Sequence, residues 1–173
     1  VNSIQFQLMI ERLSFQLLEN HGDFKDTSLV GIQPRGSYLS KRIGEKISSI
    51  LSKDNLKIGN LDITFFRDDF RRRLSPIKPQ KIEMNFSIED QKIVLIDDVL
   101  FTGRSVRAAL DALINLGRPK QVELMVLIDR RLSRDLPIEP NYVGKTVDSI
   151  FSERVHVQWK ETHKKDKIML FNS

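Results

Sequence analysis

Four apolar residues in a row, Ile93-Val94-Leu95-Ile96, run straight into Asp97-Asp98 and then into Val99-Leu100-Phe101-Thr102-Gly103-Arg104-Ser105. An unbroken aliphatic run of this kind is a strand buried on both faces, which demands a sheet covered by helices on either side. The short loop of Thr, Gly, Arg and Ser that follows opens a helix. In open α/β sheets, ligands bind outside the carboxyl ends of the strands. A helix N-terminus reached through small residues presents unpaired N–H groups to an anion. Two carboxylates at the same place suit sugar hydroxyls or a hydrated Mg²⁺. One strand-loop-helix unit therefore gathers the groups needed for a ribose phosphate. The segment is neither a Walker A loop, which needs spaced glycines before Lys-Ser/Thr, nor a GxGxxG dinucleotide turn. An Asp-Asp pair alone is an ordinary pair of surface carboxylates. The buried strand before it and the loop after it give it meaning.

The rest of the chain alternates strands and helices around this unit. Residues 3–20 space Ile4, Leu8, Leu13, Phe15, Leu17 and Leu18 as an amphipathic helix that stops at His21-Gly22-Asp23. Leu29–Ile32 reads as a short buried strand, Gln33-Pro34-Arg35-Gly36 as a turn, and Tyr38–Leu51 as a helix. Leu61–Phe66 alternates enough for a strand, and residues 70–85 read as a polar, basic, mobile loop. Lys92–Asp97 is the signature strand, Ser105–Leu116 its helix, and Gly117-Arg118-Pro119 the stop. Val122–Asp129 is a further strand, 131–150 is irregular, Val155–Trp159 is a late strand, and the tail from Lys160 is charged. Such alternation predicts a parallel sheet covered on both faces, in one domain spanning 1–173.

Composition narrows the chemistry. With 173 residues, 40% hydrophobic and 29% charged, the chain has the make-up of a soluble globular domain. The absence of cysteine excludes disulfides, thiolate-zinc sites and a cysteine nucleophile, and fits a cytoplasmic setting. No apolar run is long enough to cross a bilayer, so no membrane partner is expected, and the first residues lack a signal-peptide pattern. The net charge of +5 suits a phosphate-rich ligand or nucleic acid, but it suits any basic soluble protein equally. His21, His156 and His163 are isolated and lack metal spacing, and Trp159 on an alternating strand reads as core.

Three further places are candidate sites. Pro34, Arg35 and Gly36 follow a buried strand, so an arginine and backbone N–H groups lie on the same sheet edge as Asp97. Arg67 with Asp68-Asp69 precedes the basic loop, whose Arg71, Arg72 and Arg73 read as a solvated charge run. Asp129-Arg130 ends a strand before a proline-rich segment able to cover a flat base.

The segment from Ile93 to Ser105 resembles the 5-phosphoribosyl-1-diphosphate (PRPP) signature of type I phosphoribosyltransferases. From about residue 4 to 160 the chain resembles the pyrimidine-operon attenuation proteins with uracil phosphoribosyltransferase activity. The likeness rests on Leu61-Asp62-Ile63-Thr64 with Arg67-Asp68-Asp69, and on the signature extended through Arg107 and Asp111-Ala112-Leu113. Gly117-Arg118-Pro119, Leu136-Pro137-Ile138 and Tyr142-Val143-Gly144-Lys145 complete it. It implies the type I phosphoribosyltransferase fold, an α/β domain with a mainly parallel sheet and a small hood over the sheet edge, at about 130–155. It implies transfer of phosphoribose from PRPP to uracil, giving UMP and pyrophosphate, with Mg²⁺ carried by PRPP rather than by a protein ligand set. Asp97 and Asp98 would be catalytic and hold the ribose hydroxyls. Val99, Leu100, Phe101, Thr102, Gly103, Arg104 and Ser105 would cradle the 5-phosphate. Pro34, Arg35, Gly36 and Arg67 would hold pyrophosphate, with a cis peptide at Pro34–Arg35. Uracil would lie near Asp129 and Arg130, under the hood. The alternatives are another base, or an RNA-binding attenuator with weak catalysis.

The same family implies a homodimer or higher oligomer, with the apolar first helix as a contact. Its regulatory members carry Thr and His on that helix and Gly-His-Arg after the Asp-Arg pair. Here Glu11 and Phe15 stand at the helix positions, with Arg12 kept, and Arg131-Leu132-Ser133-Arg134 follows Arg130. Those departures fall on the family's RNA-binding face and predict weak, poorly specific RNA binding. Phe15, on an amphipathic helix, is expected to be buried.

Overall fold

The structure is a computed structural model that describes residues 1–68, 83–150 and 152–172. Most of the loop expected at 70–85 lies outside those residues. Its last part is described: Glu83 makes a short antiparallel bridge to Asn60.

Helix α1 (Ser3–His21) opens on a capping box, in which the Asn2 side chain accepts from Gln5 N–H and the Gln5 side chain accepts from Asn2 N–H. It buries Phe6, Ile10, Leu13 and Leu17. It ends where Gly22, at a φ of 57°, closes a bond to the Leu18 carbonyl. Strand β1 (Thr27–Ile32) is buried throughout. Helix α2 (Arg35–Leu51) begins three residues before the expected Tyr38, because Pro34 already has helical backbone angles and stands at its N-cap. Arg35 and Gly36 thus lie in the first helical turn instead of a free turn. The cis peptide is Gln33–Pro34, not Pro34–Arg35, at the bond type where cis is least costly.

Strand β2 (Lys57–Leu61) replaces the strand expected at Leu61–Phe66. The Asp62 carboxylate accepts from Thr64 N–H and Thr64 Oγ1 and turns the chain into a 3₁₀ turn at Thr64–Phe66. Strand β3 (Lys92–Leu100) and helix α3 (Arg104–Leu116) form the signature unit, and β4 (Gln121–Arg130) follows. The segment 131–150, expected to be irregular, contains β5 (Tyr142–Val147). An edge strand has one exposed face and a glycine inside it, so its sequence carries little strand signal.

These five strands form one parallel sheet in the order β2-β1-β3-β4-β5. Chain direction across the sheet reverses between β1 and β3, which sets the ligand crevice at their carboxyl ends. Val94 and Ile96 pack with α1 and α2, while Ile93 and Leu95 pack with α3. The core therefore has two layers, one on each sheet face.

The tail is not only charged. Strand β6 (Glu153–Gln158), a short helix α4 (Lys160–His163) and β7 (Lys167–Asn172) form a second, antiparallel two-stranded sheet. The first residue fixes it, with Val1 N donating to Ile168 O at 3.0 Å. Trp159 is buried, as expected, edge-on to Phe6. The hood segment expected at 130–155 thus divides between a loop, the edge strand β5 and the start of this small sheet. Among the described residues, no helix is long and apolar enough to cross a membrane.

Candidate functional site

Adjacent residues on a strand project to opposite faces. Asp97 continues the row of Ile93 and Leu95 toward α3, and Asp98 continues the row of Val94 and Ile96 toward α2. The two carboxylates therefore face two different loops. Asp97 opens into a cleft of about 240 Å³ that Val99–Val106, Arg67 and Asp68 complete. Asp98 faces the start of α2, where Arg35 Nη1 lies 3.9 Å from its Oδ2.

Both carboxyls are buried. Burial and then the charge of Asp98 hold the Asp97 carboxyl well above the ordinary range, although the Asp98 N–H bonds to it at 2.9 Å. Burial also raises Asp98, against the opposing pull of Arg35. Asp98 Oδ2 has no hydrogen-bond donor among the described residues. A buried carboxylate oxygen left in that state costs about 1–3 kcal/mol or more, so it is poised for an incoming hydroxyl or cation.

The first turn of α2 sits hard against β3. A Cβ on Gly36 would meet the Ile96 carbonyl oxygen, with Asp97 Cα at 3.2 Å. Only glycine lets the Arg35–Gly36 backbone reach this position. Two polar atoms beside it, Gln33 Oε1 and Ser37 Oγ, are also buried without a partner among the described residues. In the sequence Gln33 reads as a turn residue, and Ser37 carries no signal of its own. Their position flanking Arg35-Gly36 was the available signal.

On the other side, Gly103 takes a φ of 91° and caps α3 without a side-chain bond. Arg104 N–H lies 3.4 Å from Thr102 Oγ1, a long bond. The first N–H groups of α3 face the cleft as an anion site. The side chain of Arg104 does not enter this cradle. It spans the rim, bonded to Asp68 at 2.7 Å and Asp135 at 3.0 Å, and these bonds raise its pKa. Arg67 lines the same cleft.

Asp129 and Arg130 are brought to the same edge, but their side chains are committed elsewhere. The Arg134 guanidinium pairs with the Asp129 carboxylate. Arg130 lies over the Phe101 ring at 3.8 Å and donates to Ser149 Oγ, Ile150 O and Glu153 O. Burial lowers its pKa. Arg130, expected near the base under the hood, is thus a brace between β4, the phosphate-side loop and the start of β6. The alternation along β4 explains it, since Arg130 and Asp129 leave opposite sides of the strand.

The cations assigned to RNA are also engaged. Arg12 donates to the carbonyls of Val143 and Gly144 on the edge strand β5. Arg131 pairs with Asp148 at 2.9 Å. Glu11, one of the departures on that face, accepts from Lys46 at 2.9 Å. Phe15 is 51% exposed rather than buried, because the core face of α1 is the Phe6-Ile10-Leu13-Leu17 stripe. His21 is structural, as expected: it sits at the opposite end of the sheet, bonded to Glu123, Tyr142 and Thr27. There burial and Glu123 push the Tyr142 hydroxyl up to about 12. Among the described residues, no cluster of three or more His, Cys, Asp or Glu is arranged to hold a metal ion.

The chain matches the phosphoribosyl transferase domain family over residues 3–162. It is 39% identical over 166 residues to the bifunctional protein PyrR of Bacillus subtilis, covering 95% of this chain and 91% of that protein. It is 37% identical over 170 residues to the bifunctional protein pyrR of Enterococcus faecalis, covering 98% and 94%. Among solved structures it is similar to the hypoxanthine phosphoribosyltransferase of Trypanosoma cruzi, with a TM-score of 0.69, 12% identity and coverage of 99% and 94%. The Staphylococcus aureus hypoxanthine phosphoribosyltransferase gives a TM-score of 0.64 at 20% identity, over 94% and 84%. At those identities the structural likeness speaks for the fold alone.

Proposed function

The chain belongs to the phosphoribosyl transferase family and, within it, to the bifunctional PyrR proteins, and from that premise we propose that it transfers the phosphoribosyl group of PRPP to uracil, giving UMP and pyrophosphate. The observation that carries this reading is the split carboxylate pair at the switch point, with an anion-binding helix N-terminus on one side and Arg35 on the other. The backbone from Val99 to Ser105 holds the 5-phosphate. Arg35, with the backbone of Gly36, holds the diphosphate, joined by Arg67 across the cleft. Ser37 Oγ, a hydroxyl able to donate, offers one further polar contact beside it.

The ribose lies between, over Asp97 and Asp98. The C1–O bond to pyrophosphate breaks as the C1–N1 bond to uracil forms, and the N1 proton is lost. C1 becomes oxocarbenium-like on the way, and two fixed carboxylates below the ring favour that positive charge. Their burial means that the field is set before the substrate arrives. Catalysis here is positioning and charge stabilisation. Mg²⁺ fits this end of β3: a hard cation prefers oxygen, and the Asp98 Oδ2 that lacks a donor is an oxygen it suits. When bound with the diphosphate, Mg²⁺ neutralises it and makes it a better leaving group.

Uracil lies near Asp129, with the loop 131–141 and the small sheet above. Arg130 contributes by bracing the hood, not by touching the base. RNA binding in this reading is weak, since Arg12, Arg131 and Arg134 each serve contacts inside the chain. Self-association uses the outer stripe of α1, where Ile4, Leu8 and Phe15 are exposed. The cytoplasmic setting expected from the sequence suits PRPP as substrate and belongs to the same proposal.

PRPP turnover with Mg²⁺ and a panel of bases tests the reading. The expected result is UMP and pyrophosphate with uracil and little product with purines. Turnover with a purine base alone would replace uracil. No turnover with any base, together with tight hairpin-RNA binding, would make the chain an attenuator.

A further inference from the structure

The carbonyls of the loop that receives the 5-phosphate are held by the segment after β4. Arg134 Nη1 donates to the Phe101 carbonyl at 2.5 Å. The next two N–H groups, of Asp135 and Leu136, both donate to the Thr102 carbonyl, at 3.0 and 3.1 Å. Behind Gly103 the same segment closes the space: a Cβ there would meet Ile138 Cδ1 at 3.3 Å and Leu136 Cβ at 3.4 Å.

In a trans peptide the C=O and the following N–H point in opposite directions. Turning the Phe101 and Thr102 carbonyls onto the 134–136 segment therefore turns the N–H groups of Thr102 and Gly103 away from it. Both peptides are trans. Neither N–H has an acceptor among the described residues. Two consecutive donors aimed one way are an anion-binding concavity, and the side they face is the cleft.

Resting on the phosphoribosyltransferase reading above, we propose that Arg134 is the positioning residue of the phosphate loop: it fixes the Phe101–Thr102 peptide so that successive N–H groups face the 5-phosphate. The same guanidinium neutralises the buried Asp129 carboxylate, so one side chain ties the base end of the site to its phosphate end. A ligand that presents a ribose 5-phosphate feels this brace. A ligand that presents only a diphosphate, held on the Arg35 side, does not.

The test compares two probes on the intact protein by calorimetric titration: ribose 5-phosphate, and Mg²⁺-pyrophosphate. Arg134→Met keeps much of the side-chain length and loses the donors. It should weaken ribose 5-phosphate about tenfold, as expected for one charge-assisted bond, and leave pyrophosphate within about twofold. Arg134→Lys should recover part of the loss. The double variant Asp129→Asn with Arg134→Met leaves no lone buried charge, so it serves also where the single variant is unstable. It should bind ribose 5-phosphate as poorly as Arg134→Met. Restored binding in the double variant would show that the loss came from an unpaired Asp129 and would overturn the inference. Unchanged ribose 5-phosphate affinity in Arg134→Met, or an equal loss for pyrophosphate, would overturn it too. A parent protein that binds neither probe would instead refute the phosphoribosyltransferase reading itself.

Discussion

Gly31 is the position where a single methyl group should cost both stability and catalysis. It lies in β1, and the first turn of α2 packs directly onto it. A Cβ at Gly31 would stand 2.7 Å from the Gly36 carbonyl oxygen, 2.8 Å from Ser37 Cα and 2.5 Å from Ser40 Oγ. The serine hydroxyl can rotate away, but the two backbone atoms cannot. Ordinary contact begins near 3.4 Å, so the start of α2 has to retreat by about 0.6–0.7 Å. Overpacking of this kind costs about 1–3 kcal/mol. For a domain of this size each kcal/mol lowers Tm by about 2–4 °C, so Gly31→Ala should lose about 4–8 °C for a mid-range cost of 2 kcal/mol. The retreat carries Arg35 away from Asp98 and from the bound diphosphate. Misplacement by about 1 Å costs on the order of 100-fold, so kcat/KM for PRPP should fall by at least about tenfold. Gly22→Ala is the control. Gly22 has a φ of 57° and nothing within 4 Å of its Cβ position. It should lose about 1 kcal/mol through backbone conformation alone and keep its activity. Differential scanning calorimetry and steady-state PRPP kinetics on both variants decide the matter. A Gly31→Ala protein with the parent Tm and kcat/KM would refute the argument that α2 is wedged against β1.

Asp97→Asn and Asp98→Asn should each lower turnover about 100-fold or more while leaving the fold intact. Both folded carboxyls titrate above their unfolded value, so their contribution to stability is full below the unfolded pKa and is lost as pH rises through the folded one. Removing the charge removes that loss: at pH 7 Asp97→Asn should melt at or above the parent temperature, and the gain should shrink toward pH 4. A lower Tm at neutral pH would contradict it. In filter binding at physiological salt, pyrimidine-operon leader RNA should bind weakly and fall off with salt as a non-specific polyanion does. Tight binding enhanced by UMP and lost on scrambling the hairpin would restore RNA regulation. Sedimentation at micromolar concentration should show a dimer or higher species that Leu8→Glu dissociates; a monomeric parent would remove α1 as the contact.

What the sequence revealed follows from where the information lies along the chain. The β3–α3 unit was legible because its strand, carboxylates, loop and helix are contiguous, so local pattern and site coincide. The pyrophosphate side was only half legible. Pro34, Arg35 and Gly36 are adjacent and visible, but the burial of Gln33 Oε1 and Ser37 Oγ depends on α2 lying against β3, which no local pattern states. The bracing contacts of Arg130 were not legible for a related reason. Its position at the end of β4 was right, yet its three acceptors are 19, 20 and 23 residues further on. Strand β7 was missed because, among the described residues, its ladder partner is β6, and Ile168 is bonded to Val1. Its row Ile168-Met169-Leu170-Phe171 lacks the polar alternation that marks a half-buried strand.

The division of Asp97 and Asp98 between two sheet faces has an energetic consequence that joins fold to function. Each carboxylate is buried against its own helix terminus, and Asp98 Oδ2 has no donor among the described residues. A hydrophobic or amide pair at the same place would make a more stable strand end. The charges therefore have to be compensated by what binds there, and the compensation comes from both sides at once: ribose hydroxyls and cation between the carboxylates, phosphate on α3, diphosphate on α2. A ligand reaching only one side relieves only one carboxylate. Ribose 5-phosphate should then bind more tightly in the presence of Mg²⁺-pyrophosphate than alone, and Mg²⁺-pyrophosphate more tightly in the presence of ribose 5-phosphate by the same factor, as calorimetric titration would read. Unchanged affinities would mean that the two carboxylates are relieved independently, and that the switch point is two adjoining sites instead of one.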